Sequence, residues 1–226
     1  RILRNIMDIR YICYRKARAL NDGGTYFPVW GTCLGMQEMT TWPLSPSRDV
    51  LTNCSNTEKV SLPLNFTSEA TKSKLFGKLP DYISKILQRE PVTANYHSYC
   101  LATKEYAKNS QMRSFYSVIS TNLDGVGLEF VSSFEARQYP FYGVQWHPEK
   151  NNYLHPKGTK INQSHDAVLI SQYFGNFLVE EARRNNHSFT STKEEGRFLI
   201  NSYRSTFDDT FYEYYCLNDS DIPKFE

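Results

Sequence analysis

The chain has 226 residues, 40% of them hydrophobic and 22% charged, and a net charge of +2. This ordinary globular usage supports a sizeable core and argues against wholesale disorder. The charges are interspersed without a basic stripe, and no apolar run approaches the roughly 18 residues of a membrane helix, so neither a nucleic acid nor a membrane is an expected partner.

Ile2, Ile6, Ile9, Cys13, Ala17 and Leu20 recur at helical spacing, and Asp22-Gly23-Gly24 supplies a stop. This charged opening does not read as a secretory leader. "YFPVW" predicts a short buried strand, and a tight turn follows from Gly31 to Gly35. A helix is predicted from about Leu34 to Thr41, ended by Pro43 and Pro46. "VSLPLNFT" is strand-like, "DYISKILQRE" a short helix with Ile83, Ile86 and Leu87 on one face, and "TANYHSYCL" a strand. "FYSVISTN" and "LEFVSSFEA" predict a hairpin around Asp124-Gly125. "FYGVQWH" predicts a strand stopped by Pro148. Residues 164–186 predict a long helix capped by Ser164, its core face carrying Val168, Ile170, Phe174, Phe177, Leu178 and Ala182. The tail shows no clear pattern. This alternation predicts one α/β domain over residues 1–226, with a mainly parallel sheet flanked by helices and an antiparallel portion at the hairpin.

The chemistry begins at Gly31-Thr32-Cys33-Leu34-Gly35. A strand, a sharp turn and a helix around one nucleophile form an elbow, here with cysteine in the serine position. Glycines on both sides are expected because the helix must pack close to the strand and side chains there would collide. The Leu34 N–H is the candidate oxyanion donor. The alternative is that Cys33 is a buried structural cysteine. A cysteine nucleophile needs a base and the base an orienter. His147 and Glu149 stand two residues apart at a strand end, where they share a face. His97 is either a second pocket histidine or a strand histidine bonded to a neighbour. His155, His165 and His187 carry no expected chemistry, and the histidines are too scattered for a metal site.

The chain has five cysteines, Cys13, Cys33, Cys54, Cys100 and Cys216, so at least one is unpaired, and no pair has zinc or redox spacing. Asn53, Asn65, Asn162, Asn186 and Asn218 each open an N-glycosylation sequon.

"PVWGTCLGMQ" followed by "YGVQWHPEK" resembles the class I glutamine amidotransferase-like hydrolases, a flavodoxin-like fold. Within them, "YFPVWGTCLGMQE", "LPLNFT", "PVTANYHSY", "YPFYGVQWHPEK" and "FLVEEARRNNHSF" resemble the γ-glutamyl hydrolase family, from about Ala17 to Phe189. The resemblance implies cleavage of folate poly-γ-glutamates with Cys33 as nucleophile and His147 as general base and acid. It makes His97 a second active-site histidine, also placed for substrate binding, and Glu149 the acidic partner. It also implies glycosylation at Asn65, a lysosomal and secreted location, a homodimer, and no cofactor or metal. The family carries its first strands, and a Pro-Gly-Gly loop with a second oxyanion donor, ahead of the elbow helix. The chain is therefore expected to lack the N-terminal part of that domain. Arg137 and Lys150 are candidate cations for the substrate's carboxylates. Two other functions stay open: a glutaminase domain feeding ammonia to a synthetase, and a catalytically incomplete fragment acting as a binding or dimer partner.

Overall fold

Helix α1 (Ile2–Asp22) ends where expected, with Gly24 at φ 87° closing its C-terminus. A computed structural model describes residues 2–44, 49–153, 160–208 and 212–215. The buried face of α1 carries Tyr14 and Ala17, whereas Cys13 is exposed. Ala17 is buried as expected, and only at Cys13 does the stripe depart, where Tyr14 goes inside instead and stacks on Trp42 with ring centroids 4.7 Å apart.

Strand β1 (Val29–Thr32) and helix α2 (Leu34–Met39) form the expected strand–turn–helix. The short strands β2 (Thr52–Asn53), β3 (Glu58–Leu62) and β4 (Asn65–Phe66) follow. Helix α3 (Asp81–Arg89) buries Ile83 and Leu87. "TANYHSYCL" is broken into β5 (Thr93–Tyr96) and β6 (Tyr99–Cys100), which pair with β3 and β2 respectively. Two helices absent from the sequence expectation, α4 (Thr103–Lys108) and α5 (Ser110–Phe115), are divided at Asn109, whose side chain caps α5 by accepting from the Met112 N–H.

The hairpin of β7 (Tyr116–Leu123) and β8 (Glu129–Ala136) forms as expected. Asp124 Oδ1 accepts from the Val126 and Leu128 N–H groups, and Gly127 takes the left-handed position at φ 89°. Strand β9 (Phe141–Val144), helix α6 (Lys150–Tyr153) and helix α7 (His165–Ala182) complete this part. Ser164 caps α7 by accepting from the Ala167 N–H at 3.2 Å. The buried face of α7 is Ala167, Ile170, Ser171, Phe174 and Glu181; Ala182, expected inside, is exposed.

The class is α/β. The main sheet runs β1-β9-β8-β7-β4. Among the described residues, parallel pairing in it is confined to β1 with β9, so the sheet is mixed, with a larger antiparallel share than a mainly parallel sheet has. The physical reason is β9: it lies beside β1 in parallel but also pairs antiparallel with β8, which extends the hairpin into the middle of the sheet. Its alternate residues face two cores. Tyr142 and Val144 join Leu64, Ile83, Ile119, Trp146, Ile170 and Phe174 on the α3–α7 side. Phe141 joins Tyr14, Met36, Met39, Met112, Tyr116 and Phe134 on the α1–α2 side.

Cα packing divides the chain into two compact units, Arg1–Asn185 and Asn186–Glu226. The second contains α8 (Thr192–Phe198), capped by Ser191, and the antiparallel strands β10 (Ser205–Asp208) and β11 (Tyr212–Tyr215). In it Phe189 stacks on Phe198 with centroids 5.3 Å apart. No helix among the described residues is long and apolar enough to cross a membrane.

Candidate active site

Cys33 is the N-cap of α2 and sits at φ 51°, ψ −106°. A non-glycine residue there stores about 1–3 kcal/mol of backbone strain, which the surrounding packing must hold. Its N–H donates to the Val144 carbonyl at 2.8 Å, tying the corner to the end of β9. Gly31 is required by space: a Cβ there would lie 2.5 Å from Met39 Sδ and 2.7 Å from the Gly35 and Met36 backbone. Gly143, paired with Gly31 across β1 and β9, is required in the same way, since a Cβ would lie 2.9 Å from Met36 and 2.6 Å from Phe134. Gly35 is different. Nothing lies within 4 Å of a Cβ built on it, so the expected collision at this second flank is absent. Leu34 is the first residue of α2 and is 56% exposed, so its N–H belongs to the open first turn of the helix.

The thiol has two close partners. Cys33 Sγ lies 3.8 Å from the Tyr96 carbonyl as donor and accepts from Gln145 Nε2 at 3.6 Å. Gln145 is buried, and its Oε1 accepts in turn from Gln37 Nε2 at 3.2 Å. Gln37 Nε2 also donates to the Tyr99 carbonyl at 2.7 Å. Neither glutamine was singled out from the sequence.

His147 follows β9 after two further residues, and its N–H donates to the Ala94 carbonyl at 2.7 Å. Its Nδ1 lies 2.6 Å from Glu149 Oε1, so the expected pair forms, but across the turn at Pro148-Glu149, which the Lys150 N–H closes on the His147 carbonyl, rather than along extended chain. That leaves Nε2, which is buried and without a hydrogen-bond partner in the resting geometry. Burial, the largest influence, works against a charged His147 ring. The Cys33 thiol and the Glu149 carboxylate together outweigh it and raise the imidazole above its ordinary pKa. Burial likewise opposes the Glu149 charge, and the His147 ring outweighs it, holding the carboxyl below its ordinary range. A buried nitrogen left open beside a thiol is ready to take its proton once the thiol turns from the Tyr96 carbonyl.

His97 is brought near but not into contact with Cys33. It is 4% exposed, with Nδ1 3.0 Å from the Tyr99 carbonyl and Nε2 3.2 Å from Asn95 Oδ1. Burial pushes its pKa down to about 4, so the ring is neutral and donates through one nitrogen only. It packs edge-on against Phe130 at 5.2 Å. Through the Tyr99 carbonyl it shares an acceptor with Gln37, and so reaches the thiol by way of Gln145.

A cleft of about 950 Å³ opens at His147 and Glu149, walled by Trp30, Thr32, Asn152 and Gln172. An apolar cavity of about 490 Å³ is lined by Leu34, Gly35 and Met39. The first holds the titratable pair and is the candidate for substrate. Among the described residues, no cluster of three His, Cys, Asp or Glu could hold a metal. Cys54 and Cys100 form a disulfide between the ends of β2 and β6, Cys13 and Cys33 are free, and Cys216 lies outside the described residues.

Of the sequons, Asn53, Asn65 and Asn186 are exposed. The Asn162 amide instead donates to the Pro91 carbonyl at 2.9 Å and accepts from the Ser164 N–H at 2.8 Å. Asn218 and His155 lie outside the described residues.

The model of the peptidase C26 family matches residues 18–149. The rat protein named gamma-glutamyl hydrolase is 40% identical over 84% of this chain and 58% of its own length. The human protein of that name is 42% identical over 79% of this chain and 55% of its own. Gamma-glutamyl hydrolase B of Dictyostelium discoideum is 39% identical, over 83% of this chain and 54% of its own. The chain thus spans somewhat over half the length of these relatives.

Proposed function

The chain belongs to the peptidase C26 family, and from that premise we propose that it is a cysteine hydrolase cutting the γ-linked amide between glutamates of folate poly-γ-glutamates. One observation carries the reading: a strained Cys33 at a helix start beside a histidine whose other nitrogen is held by Glu149.

In the proposed mechanism His147 Nε2 takes the Cys33 proton. The sulfur bonds to the γ-carbonyl carbon, and the oxyanion meets the Leu34 N–H. Glu149 stabilises the imidazolium, which then gives its proton to the leaving amine as the C–N bond breaks. Water enters, His147 takes its proton, and hydroxide attacks the thioester. As the C–S bond breaks the imidazolium returns its proton to the sulfur, and the new γ-carboxylic acid leaves and ionises in water. Gln145 donates to the sulfur throughout, favouring its charged form. His97 acts as a positioning residue: it holds the strand segment whose Tyr96 and Tyr99 carbonyls line up Cys33 and Gln37.

The proposal extends to a lysosomal and secreted homodimer glycosylated at Asn65, Asn53 and Asn186, with Asn162 unmodified because its amide nitrogen is already spent. The Cys54–Cys100 disulfide supports an oxidising compartment.

The test is glutamate release from a pteroyl poly-γ-glutamate at mildly acidic pH, beside Cys33→Ala and beside free glutamine as substrate. The proposal predicts release that vanishes in the variant, with little hydrolysis of glutamine. Preferential glutamine hydrolysis would make the chain a glutaminase instead.

A further inference from the structure

We propose that Asn152 is a specificity-determining residue of this site, its side-chain oxygen accepting the N–H of the next γ-link beyond the scissile bond, on the leaving-group side; this rests on the hydrolase reading above. Among the described residues, the buried side-chain polar atoms without a hydrogen-bond partner are Ser120 Oγ, His147 Nε2 and Asn152 Oδ1. Ser120 lies within β7. The other two belong to residues that line one cleft, the space of about 950 Å³ beside His147 and Glu149. His147 Nε2 has a use there, the proton of Cys33. Asn152 Oδ1 has no donor in the resting geometry, and a buried acceptor without one is costly to keep. Asn152 stands on α6 and is itself only part-buried, so its amide can turn to the cleft wall.

Other polar groups of the cleft are spent or served by water. The Ser171 hydroxyl donates to the Pro148 carbonyl, Thr32 Oγ1 accepts from Trp30 Nε1 at 2.9 Å, and Glu149 Oε1 is held by His147 Nδ1. Gln172 and Asn176 are exposed, and water serves their amides. The Asn152 oxygen is shielded from water, so its donor must arrive with a ligand. A γ-glutamyl chain is rich in acceptors, carboxylate and carbonyl oxygens, and its one donor per unit is the link N–H. An empty acceptor therefore reads the link. His147 passes its proton to the leaving amine, so the cleft on its side takes the leaving half of the chain. The scissile nitrogen faces His147, and Asn152, further along the same segment, meets the link beyond it. A leaving half that carries another γ-link is thereby favoured over a single glutamate.

The experiment uses the full chain and N-acetyl tri-γ-glutamates that are identical except at the second link, an amide in one and an ester in the other, so that oxygen replaces the N–H. Mass spectrometry follows cleavage of the first link alone. The proposal predicts a kcat/KM roughly 5- to 100-fold higher for the amide form. Asn152→Ala should bring that ratio to within about 2-fold, while Asn152→Asp, which keeps an acceptor oxygen, should hold most of it. The ratio is read within each variant, so a fraction of unfolded protein does not move it. A ratio near one in the parent chain, as a water or a packing contact at Oδ1 would give, or a ratio that survives Asn152→Ala, overturns the inference and leaves the hydrolase reading standing. No cleavage of either peptide by the parent chain overturns both.

Discussion

At Cys33 the backbone conformation and the side-chain chemistry are one arrangement. The positive φ throws the thiol off the strand axis toward the Tyr96 carbonyl and Gln145, and Gly31 and Gly143 let α2 sit close enough to hold it there. Gly31→Ala drives a Cβ into backbone that cannot yield, so it should cost about 1–3 kcal/mol or more in a denaturant titration. Gly35→Ala meets open space in a helix and should be neutral or stabilising by up to about 1 kcal/mol. Equal losses at both positions would contradict the packing account. Glu149 sets the second residue-scale prediction. Its carboxylate helps raise the His147 pKa, so activity that needs the neutral ring as base is present above that value and lost as pH falls through it. Glu149→Gln removes the support, and the acid limb of kcat/KM should move to lower pH. An unmoved limb would show that Glu149 does not govern the ring.

Among elements, the loop after β9 does most to assemble the site. β9 lies parallel to β1, so the chain leaves both strands at the same sheet edge, and Cys33 and His147 meet there although far apart in sequence. The disulfide acts on a neighbouring pair. It joins β2 to β6 with Cα atoms 5.9 Å apart and a separation of 46 residues. Cys54→Ser with Cys100→Ser should lower stability by about 2–4 kcal/mol. It should also loosen the Tyr99 carbonyl that His97 and Gln37 share, and so lower kcat. Unchanged stability and rate would make the bridge incidental.

Across the molecule, what was legible in the sequence was what carries a local signature. Glycine beside cysteine, histidine two residues before glutamate, and an Asp-Gly turn each announce their geometry, and all three formed. Gln37 and Gln145 announce nothing, because an amide becomes significant only through partners that folding supplies from distant strands. The face of α1 was misjudged at Cys13 for the same reason: Trp42, not helix period, decides that Tyr14 turns inward. The mixed sheet was hidden because strand direction is set by which neighbours pair, and β9 has a parallel neighbour on one side and an antiparallel one on the other. The Asn186–Glu226 unit, unreadable from its mixture of aromatics and charges, packs as a separate small body.

The central claim is that Cys33 carries the acyl group. It is tested most directly by mixing the full chain with a poly-γ-glutamate, quenching in acid within the first turnover, and mapping the peptides by mass. The account predicts a glutamyl or γ-glutamyl-peptide thioester on the peptide holding Cys33 and none on Cys13, with the adduct lost in His147→Ala. Turnover without an adduct on Cys33, or with the acyl group on another residue, would contradict it.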